Sequence, residues 1–344
     1  MSCSCTRRPT RRRCTRSREQ PSATGRDRAN MTNVTDEVTA PDQNWYAVAL
    51  AEEIDDGRVV GADLFDGRVV VYRTAAGTPV VLSSRCPHMG ADLALGDVVG
   101  DDIRCTFHHF CFAPDGHCSG IPSDDKIPVR ARVTSFPTAE RWGLIWAFNG
   151  PEPLFEAPGI RDYNDGALAV RARRTDIFPV EPWVIMGNSF DFSHLRYLHR
   201  LVFDDPDDIR WGRYEIEYDV TFKSEELGTF EQRIRNTGTN TVSYVTTGAV
   251  DSMGLFTSTP TPRGSQSYYI AATPDTGGDD PSSSSDVEAR LALQETIADE
   301  LLKDDTRAFR GMRFQEGAFV GADRHLRKYF RWVHDFPKHR PSFD

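Results

Sequence analysis

The stretch CPHMGADLALGDVVGDDIRCTFHHFCFAPDGHC, from Cys86 to Cys118, decides the organisation of this 344-residue chain. It contains a Cys-x-His pair at Cys86 and His88, sixteen intervening residues, and a Cys-x-x-His pair at Cys105 and His108. Two short segments therefore offer two thiolates and two imidazoles, which are ligands of soft and borderline transition metals. The spacing predicts a metal centre held between two loops.

The mixture of ligands favours a [2Fe-2S] cluster of the Rieske kind. Thiolates suit iron-sulfur iron, and two imidazoles on one iron raise the reduction potential above that of an all-thiolate cluster. We assign Cys86 and Cys105 to one iron, and His88 and His108 to the other.

A structural zinc ion is the alternative occupant, because two Cys-His pairs can also close a tetrahedral site. An apolar run over residues 91–99 separates the pairs, which is rare in zinc ribbons. A later loop with Gly116, Gly120 and Pro122 offers a cover for a cluster. Both features favour iron.

Charge, hydropathy and cysteine placement exclude several classes of protein. The net charge of -10 argues against a nucleic-acid groove. No apolar run approaches the length of about eighteen residues that a membrane span needs. Three of the seven cysteines lie in the N-terminal tail and four in the Cys86 to Cys118 stretch, which is not the pattern of a disulfide framework. We expect a reducing, cytoplasmic location.

The chain divides into three predicted segments: a tail and lead-in over residues 1–43, a domain over 44–152 and a domain over 153–344. Residues 1–30 hold nine arginines and two acidic residues with little to bury, so disorder is expected. They resemble either a transit leader or an upstream extension of the reading frame, with Met31 as the natural start.

The two domains have different patterns. Residues 44–152 alternate short apolar strands with turns, including Asp-Gly at 56–57 and 66–67, and predict an all-β domain. Residues 153–344 begin with strands of period two and end with helices predicted over 286–314 and 322–335. The predicted fold class is therefore α+β.

A second constellation of polar residues is Asn188-x-x-Asp191-x-x-His194-x4-His199. Two imidazoles and one carboxylate leave three positions of iron(II) open for O2 and substrate. Five residues of regular helix turn through about 500°, which leaves the two histidines about 140° apart. The helix must therefore break or widen between His194 and His199.

The carboxylate ligand is expected on the long helix predicted over 286–314. Asp305 falls near the middle of an apolar helix face, whereas Asp304 lies at its margin. A buried carboxylate is costly unless it is paired or bound to metal, so Asp305 is the first candidate and Asp304 the reserve. A salt bridge to Arg307 or Arg310 is the alternative role. The apolar face consists of Ile297, Ala298, Leu301, Leu302, Ala308, Phe309 and Met312.

Both motifs, in this order, resemble the Rieske non-haem iron oxygenases, in their terminal oxygenase (alpha) subunit that hydroxylates aromatic rings or removes O- or N-methyl groups. The resemblance covers nearly all of residues 44–340, and Gly311-Met312 resembles a pair that follows the family's carboxylate ligand. His109 departs from the family pattern, since the family commonly has Gly after the cluster histidine. Respiratory Rieske proteins carry extra cysteines where this chain has Ala91 and Phe107.

The resemblance implies a helix-grip catalytic domain, a homotrimer and a mononuclear Fe(II) that uses O2 to hydroxylate or demethylate a small organic substrate. It implies electrons from NAD(P)H through a separate reductase, either directly or through a ferredoxin. Asn188 and Asp191 belong to the implied catalytic group. Asp191 is expected to accept the ring N–H of His194 and, across the subunit boundary, to meet His108.

Two other functions stay open: a Rieske electron-transfer protein without oxygenase activity, and a binding module of helix-grip type that holds a structural metal. Substrate identity is not encoded in a readable motif. Aromatic residues that could line a pocket, or belong to the core, are Trp183, Phe190, Tyr197, Phe256 and Tyr269.

Overall fold

A computed structural model of the protein describes residues 40–123, 125–164, 166–225, 228–249, 251–275 and 281–343. The predictions for the arginine-rich tail, up to residue 39, lie outside the described residues. The remainder belongs to one compact unit, Ala40–Asp344. Asp42, in the predicted lead-in, is buried and ion-paired with Lys338 near the C-terminus.

The first part of the unit is built only from strands and short turns of 3-10 helix. Three antiparallel sheets form, with the strand orders β1-β11-β10, β2-β3-β4-β9 and β5-β6-β7-β8. The strands are β1 Trp45–Leu50, β2 Val60–Leu64, β3 Gly67–Arg73, β4 Pro79–Ser83, β5 Asp97–Val99, β6 Asp102–Arg104, β7 Cys111–Phe112, β8 Cys118–Gly120, β9 Ser135–Phe136, β10 Thr138–Arg141 and β11 Leu144–Phe148. The prediction of an all-β first domain is confirmed.

The two Asp-Gly turns differ from each other. Asp56 and Gly57 both have positive φ, as a tight reversal of this type requires. The hairpin between β2 and β3 instead turns through Phe65 and Asp66, and Phe65 takes the positive φ of 55°. The predicted reversal therefore lies one residue earlier, because Gly67 already pairs with Leu64 in the ladder.

The second part is organised around one seven-stranded antiparallel sheet with the order β12-β18-β17-β16-β15-β14-β13. Strand β14 shows why it forms: Ile216, Tyr218, Val220 and Phe222 are buried on one face while the residues between them are less buried. The strands are β12 Leu168–Phe178, β13 Ile209–Trp211, β14 Glu215–Ser224, β15 Gly228–Thr237, β16 Thr241–Gly248, β17 Ser252–Thr261 and β18 Gly264–Pro274.

Helices cover this sheet, and the longest lies against β18 and β12. The helices are α1 Pro182–Met186, α2 Phe192–Tyr197, α3 Pro281–Phe309 and α4 Arg324–His334. The predicted end of α3 at residue 314 is wrong, since the helix stops at Phe309, two residues before Gly311. The α+β class is confirmed. None of the described helices is long and apolar enough to cross a membrane.

The two parts share a core. Trp146 and Leu144 of β11 belong to the same buried apolar cluster as Leu255 of β17 and Ile270 of β18. The Thr259 hydroxyl of β17 also donates to the Ala47 carbonyl of β1 at 2.7 Å. The first part is therefore held against the sheet by buried contacts.

Candidate functional site

Two loops with the same hydrogen-bond pattern carry the Cys and His pairs. In the loop between β4 and β5, the Cys86 N–H donates to the Ala91 carbonyl at 2.9 Å, and the Gly90 N–H donates to the Cys86 carbonyl at 2.8 Å. In the loop between β6 and β7, Cys105 bonds with Phe110 and His109 in the same way, at 2.9 and 3.0 Å. Each turn fixes its cysteine at the start of a six-residue loop.

The fifth position of each loop has a left-handed backbone. Gly90 has φ 78° and His109 has φ 55°. His109 thus stands where the turn favours glycine, and a side chain there costs about 1 kcal/mol. His109 is exposed, whereas the half-buried His108 directs its ring towards His88. The tandem histidines have different positions, and only His108 faces the first loop.

The four predicted cluster residues come together with the thiols inside and the imidazoles outside. Cys86 and Cys105 are 2% and 1% exposed, while the rings of His88 and His108 lie 4.5 Å apart near the surface. The His88 ring also stacks on Phe110 at 4.6 Å. Burial raises the pKa of the Cys86 thiol to about 11, with a further contribution from Cys105. Iron bound to the thiolates would offset that cost.

The chain places two further cysteines on the strands beside this centre. Cys111 lies on β7 and Cys118 on β8, and all four described cysteines are free. Neither residue belongs to the two six-residue loops. The thiolates available to a centre between these loops are those of Cys86 and Cys105.

The second predicted centre forms between the α1–α2 region and α3. His194 lies within α2, and His199 lies two residues beyond its last residue, Tyr197. The predicted break between the histidines is confirmed. Their rings lie 4.7 Å apart and nearly perpendicular. Asp305, on α3, completes a group whose ligand atoms lie within 4.8 Å of one another.

The distances within this group fit a metal ion. The Asp305 Oδ1 lies 3.2 Å from His194 Nε2 and 3.4 Å from His199 Nε2. Ligand atoms that sit about 2.1 Å from a metal at right angles are about 3 Å apart. His194 Nε2 is buried and, although within ion-pair distance of Asp305, has no hydrogen-bond partner of acceptable geometry among the described residues. A metal ion bound to this nitrogen would satisfy it.

The environment of Asp305 keeps it ionised. Burial alone would raise its pKa, but the close approach of the His194 and His199 rings, 3.2 and 3.4 Å away, outweighs burial and lowers the pKa below its ordinary value. Asn188 donates from Nδ2 to the same Oδ1 at 3.4 Å. Asp304, the reserve candidate, is exposed and lies outside the group.

The contact predicted for Asp191 differs in the structure. Its Oδ1 accepts the backbone N–H of His194 at 2.8 Å and so caps the N-terminus of α2. The expected bond to the His194 ring is not among the bonds of the described residues. The reason is local geometry: the carboxylate of an N-cap residue lies below the N–H groups of the first helical turn, whereas the side chain three residues later points outward.

A cavity of about 280 Å³ adjoins the His194, His199 and Asp305 group. Of the predicted pocket aromatics, Phe256 and Tyr269 line it. The other three do not: Phe190 is stacked on Tyr329 in the core, Trp183 contacts Phe314, and Tyr197 is exposed. Sequence analysis missed Tyr244, Gln232 and Thr246, which also line the cavity and lie on strands without any motif.

Comparisons with known proteins agree with the first centre. Residues 44–137 match the family profile of the Rieske [2Fe-2S] domain. The oxygenase component of 3-ketosteroid-9-alpha-monooxygenase from Rhodococcus rhodochrous is 30% identical over 163 residues, 46% of this chain and 43% of that protein. The oxygenase component of chloroacetanilide N-alkylformylase from Rhizorhabdus wittichii (strain DC-6 / KACC 16600) is 33% identical over 159 residues, 45% of each.

This chain therefore spans less than half the length of these curated relatives. A solved structure extends the likeness to most of the chain: a QL mutant of NdmA from Pseudomonas putida CBB5, with caffeine, has a TM-score of 0.66. The comparison covers 85% of this chain and 90% of that chain at 19% identity. It concerns the fold alone, and it supports the arrangement of an all-β domain followed by an antiparallel sheet with helices.

Proposed function

We propose that this chain, whose residues 44–137 match the Rieske [2Fe-2S] domain family, is the terminal oxygenase component of a multicomponent system. The observation that carries the proposal is the group of His194, His199 and Asp305 beside a mainly apolar cavity. A chain that only carried electrons would need neither the three ligands nor the cavity. The curated relatives named oxygenase components support the same class.

The residues fit two iron centres. Cys86, His88, Cys105 and His108 would hold the [2Fe-2S] cluster, and His194, His199 and Asp305 would hold one Fe(II). When bound, the cluster supplies single electrons and the Fe(II) binds and activates O2. For a hydroxylation, one substrate C–H bond and O2 take up two electrons and two protons, and the products are an alcohol and water. A demethylation begins with the same step on a methyl group.

The chain's own residues position the substrate and exclude water. Apolar side chains from both layers line the cavity, including Phe222 and Phe230 of the sheet and Leu302 and Phe309 of α3. An apolar substrate displaces water there, so the reacting C–H bond is held beside the three ligands. Asn188 bonds Asp305 and holds its carboxylate in position beside the two histidines.

The electrons must reach this chain from another protein. We propose a separate NAD(P)H-dependent reductase, acting directly or through a ferredoxin, and a homotrimer in which each cluster faces the mononuclear site of the next subunit. Met89 and Phe107, beside the cluster histidines, are 66% and 58% exposed. Exposed apolar side chains around a redox centre favour a surface that a protein partner covers. The free cysteines support a cytoplasmic location.

The domain boundary near residue 152 is part of this proposal. Strand β11 ends at Phe148 in the first part, and β12 begins at Leu168 in the seven-stranded sheet. The connecting residues form no strand or helix among those described. Cluster and mononuclear iron would therefore be held by separate parts of the chain, which lets each be removed without the other.

The test measures metals first and turnover second. Protein reconstituted anaerobically should contain about three irons per chain and little zinc. With a reductase, NADH and O2, a substrate screen should yield oxygenated product, scored against uncoupled peroxide. Two irons per chain with no mononuclear iron, and no product, would support the electron carrier instead. Zinc in place of the cluster would reject the proposal.

A further inference from the structure

The cavity contains a pair of tyrosines away from the metal ligands. Tyr244 on β16 and Tyr269 on β18 reach across β17, and their hydroxyl oxygens lie 2.8 Å apart. Gly254 stands opposite Tyr244 in the ladder, where a Cβ atom would come within 3.0 Å of the Tyr244 hydroxyl. The glycine leaves the space that the phenol ring needs to cross the strand.

The helix α3 gives the separation between this pair and the metal ligands. Ala298 packs in the same apolar cluster as Tyr269 and Tyr244. Asp305 lies seven residues further along α3, so it is displaced from Ala298 by about 10 Å along the helix axis. The cavity is therefore long, with metal ligands towards one end and two hydroxyl groups towards the other.

One hydroxyl proton of the pair has no acceptor among the described residues. Two phenols contribute two O–H donors, and the bond between them uses one. The Arg173 guanidinium lies over the Tyr269 ring, 5.5 Å from its centroid, so the nearest positive charge is on the Tyr269 side of the pair. Either hydroxyl can donate in the bond between the two tyrosines. Tyr244 is the less buried of the two, so we assign the remaining proton to Tyr244.

The charge of the cavity limits what can accept this proton. Among the described lining residues there is no lysine or arginine, and the only acid is Asp305, at the metal end. A charged group near the tyrosines would lose its hydration without gaining a partner, which is costly. A neutral oxygen, by contrast, would satisfy a buried donor.

We propose that Tyr244 donates a hydrogen bond to a neutral oxygen acceptor, such as a ketone carbonyl, of an elongated apolar substrate. The acceptor lies at the tyrosine end of the cavity, away from the carbon held beside His194, His199 and Asp305. Tyr269 then donates to Tyr244, which leaves the Tyr244 proton for the ligand. This inference rests on the proposed function for the reacting carbon, and it adds the class of substrate: uncharged, largely apolar and polar at one end.

Isothermal titration calorimetry of matched probes tests this proposal. The titrations use the full-length, iron-loaded protein under anaerobic conditions. The probes are 4-phenylcyclohexanone, its hydrocarbon counterpart phenylcyclohexane, and 4-phenylcyclohexylamine, which is protonated at pH 7. Tyr244→Phe should weaken binding of the ketone about three- to tenfold and change the affinity for the hydrocarbon less than about twofold. The wild-type protein should bind the ammonium at least about tenfold more weakly than the ketone.

Tyr268→Phe is the matched control, because Tyr268 precedes Tyr269 on the same strand but does not line the cavity. It should leave the affinity for each probe unchanged. The proposal would be overturned if Tyr244→Phe lost equal affinity for ketone and hydrocarbon, or if the ammonium bound as well as the ketone. If Tyr244→Phe does not fold, two other measurements decide the proposal. One is the comparison of ammonium and ketone binding to the wild-type protein. The other is Tyr269→Phe, which keeps the Tyr244 donor and should keep its affinity for the ketone.

The binding assay separates this inference from the proposed function. If the protein binds the ketone through Tyr244 yet forms no product with any substrate, the subsite stands and the oxygenase assignment fails. If the protein forms product but Tyr244→Phe affects ketone and hydrocarbon binding equally, the oxygenase assignment stands and the subsite fails.

Discussion

The Asp191 carboxylate holds His194 through the backbone, since Oδ1 accepts the His194 N–H at 2.8 Å. This contact fixes the first turn of α2, and with it the position of the His194 ring beside Asp305. No bond from the second oxygen, Oδ2, is present among the described residues. One oxygen therefore supports the helix, and the other remains available for the proposed contact with His108 of a neighbouring subunit.

Asp191→Asn and Asp191→Ala separate the two roles. Asparagine caps a helix about as well as aspartate, so Asp191→Asn should keep stability, whereas Asp191→Ala should lose about 1 kcal/mol. Neither variant should lose the cluster spectrum. If the carboxylate links the two centres, the reduced cluster should fail to reoxidise in single turnover with substrate and O2 in both variants. Wild-type reoxidation in Asp191→Asn would leave capping as the whole role.

Asp305→Ala should remove the mononuclear iron and leave the cluster, since the cluster residues lie on the first part of the chain. Iron should fall from about three to about two per chain, the visible spectrum of the cluster should persist, and product formation should stop. Asp304→Ala is the matched control, because Asp304 is the adjacent but exposed acid. Loss of iron in the control with retention in Asp305→Ala would reverse the assignment.

The pH dependence of the metal-free protein tests the environment of Asp305. Burial opposes ionisation, but His194 and His199 lower the pKa below 3.8. A carboxyl group with a lower pKa in the folded state stabilises the fold above its unfolded pKa, and this stability is lost as the pH falls through the folded pKa. Metal-free wild type should exceed Asp305→Asn in unfolding free energy by about 1–3 kcal/mol at pH 7.

That difference should shrink as the pH falls below about 4, which urea titrations at several pH values can measure. A constant difference from pH 7 to pH 3 would show that ionisation of Asp305 does not contribute. Asp304→Asn, at an exposed position, should differ little from wild type over the whole range.

The equivalent turns of Gly90 and His109 predict opposite effects on stability. His109→Gly relieves a left-handed side chain at φ 55° and should stabilise by about 0.5–1 kcal/mol. Gly90→Ala should destabilise by about 1 kcal/mol through backbone strain alone, because an added Cβ meets nothing within 4 Å. The urea midpoint of each variant measures this. His109→Gly should also keep the cluster spectrum, and its loss would indicate that His109 is a ligand.

Local spacing in the sequence predicted the paired candidate ligands and the order of strands and helices. The cysteines and histidines of each cluster loop are two or three residues apart, so a short turn alone brings each pair together. The order of strands and helices follows from period-two and 3.6-residue patterns, which are also local. The same helical period selected Asp305 over Asp304, and the structure brings Asp305 to within 3.4 Å of both histidines.

Tertiary structure decided what lies between distant elements. Tyr244 and Tyr269 meet only because the register of β16, β17 and β18 places Gly254 and Phe256 between them, and no local pattern encodes that register. Backbone geometry likewise directed Asp191 to an N–H group and gave His109 a left-handed conformation. The sequence by itself indicated the candidate ligands, because the members of each Cys-His or His-His pair lie a few residues apart and the helical period singles out Asp305. The cavity was decided by folding, because its surfaces come from strands and helices that only long-range packing brings together.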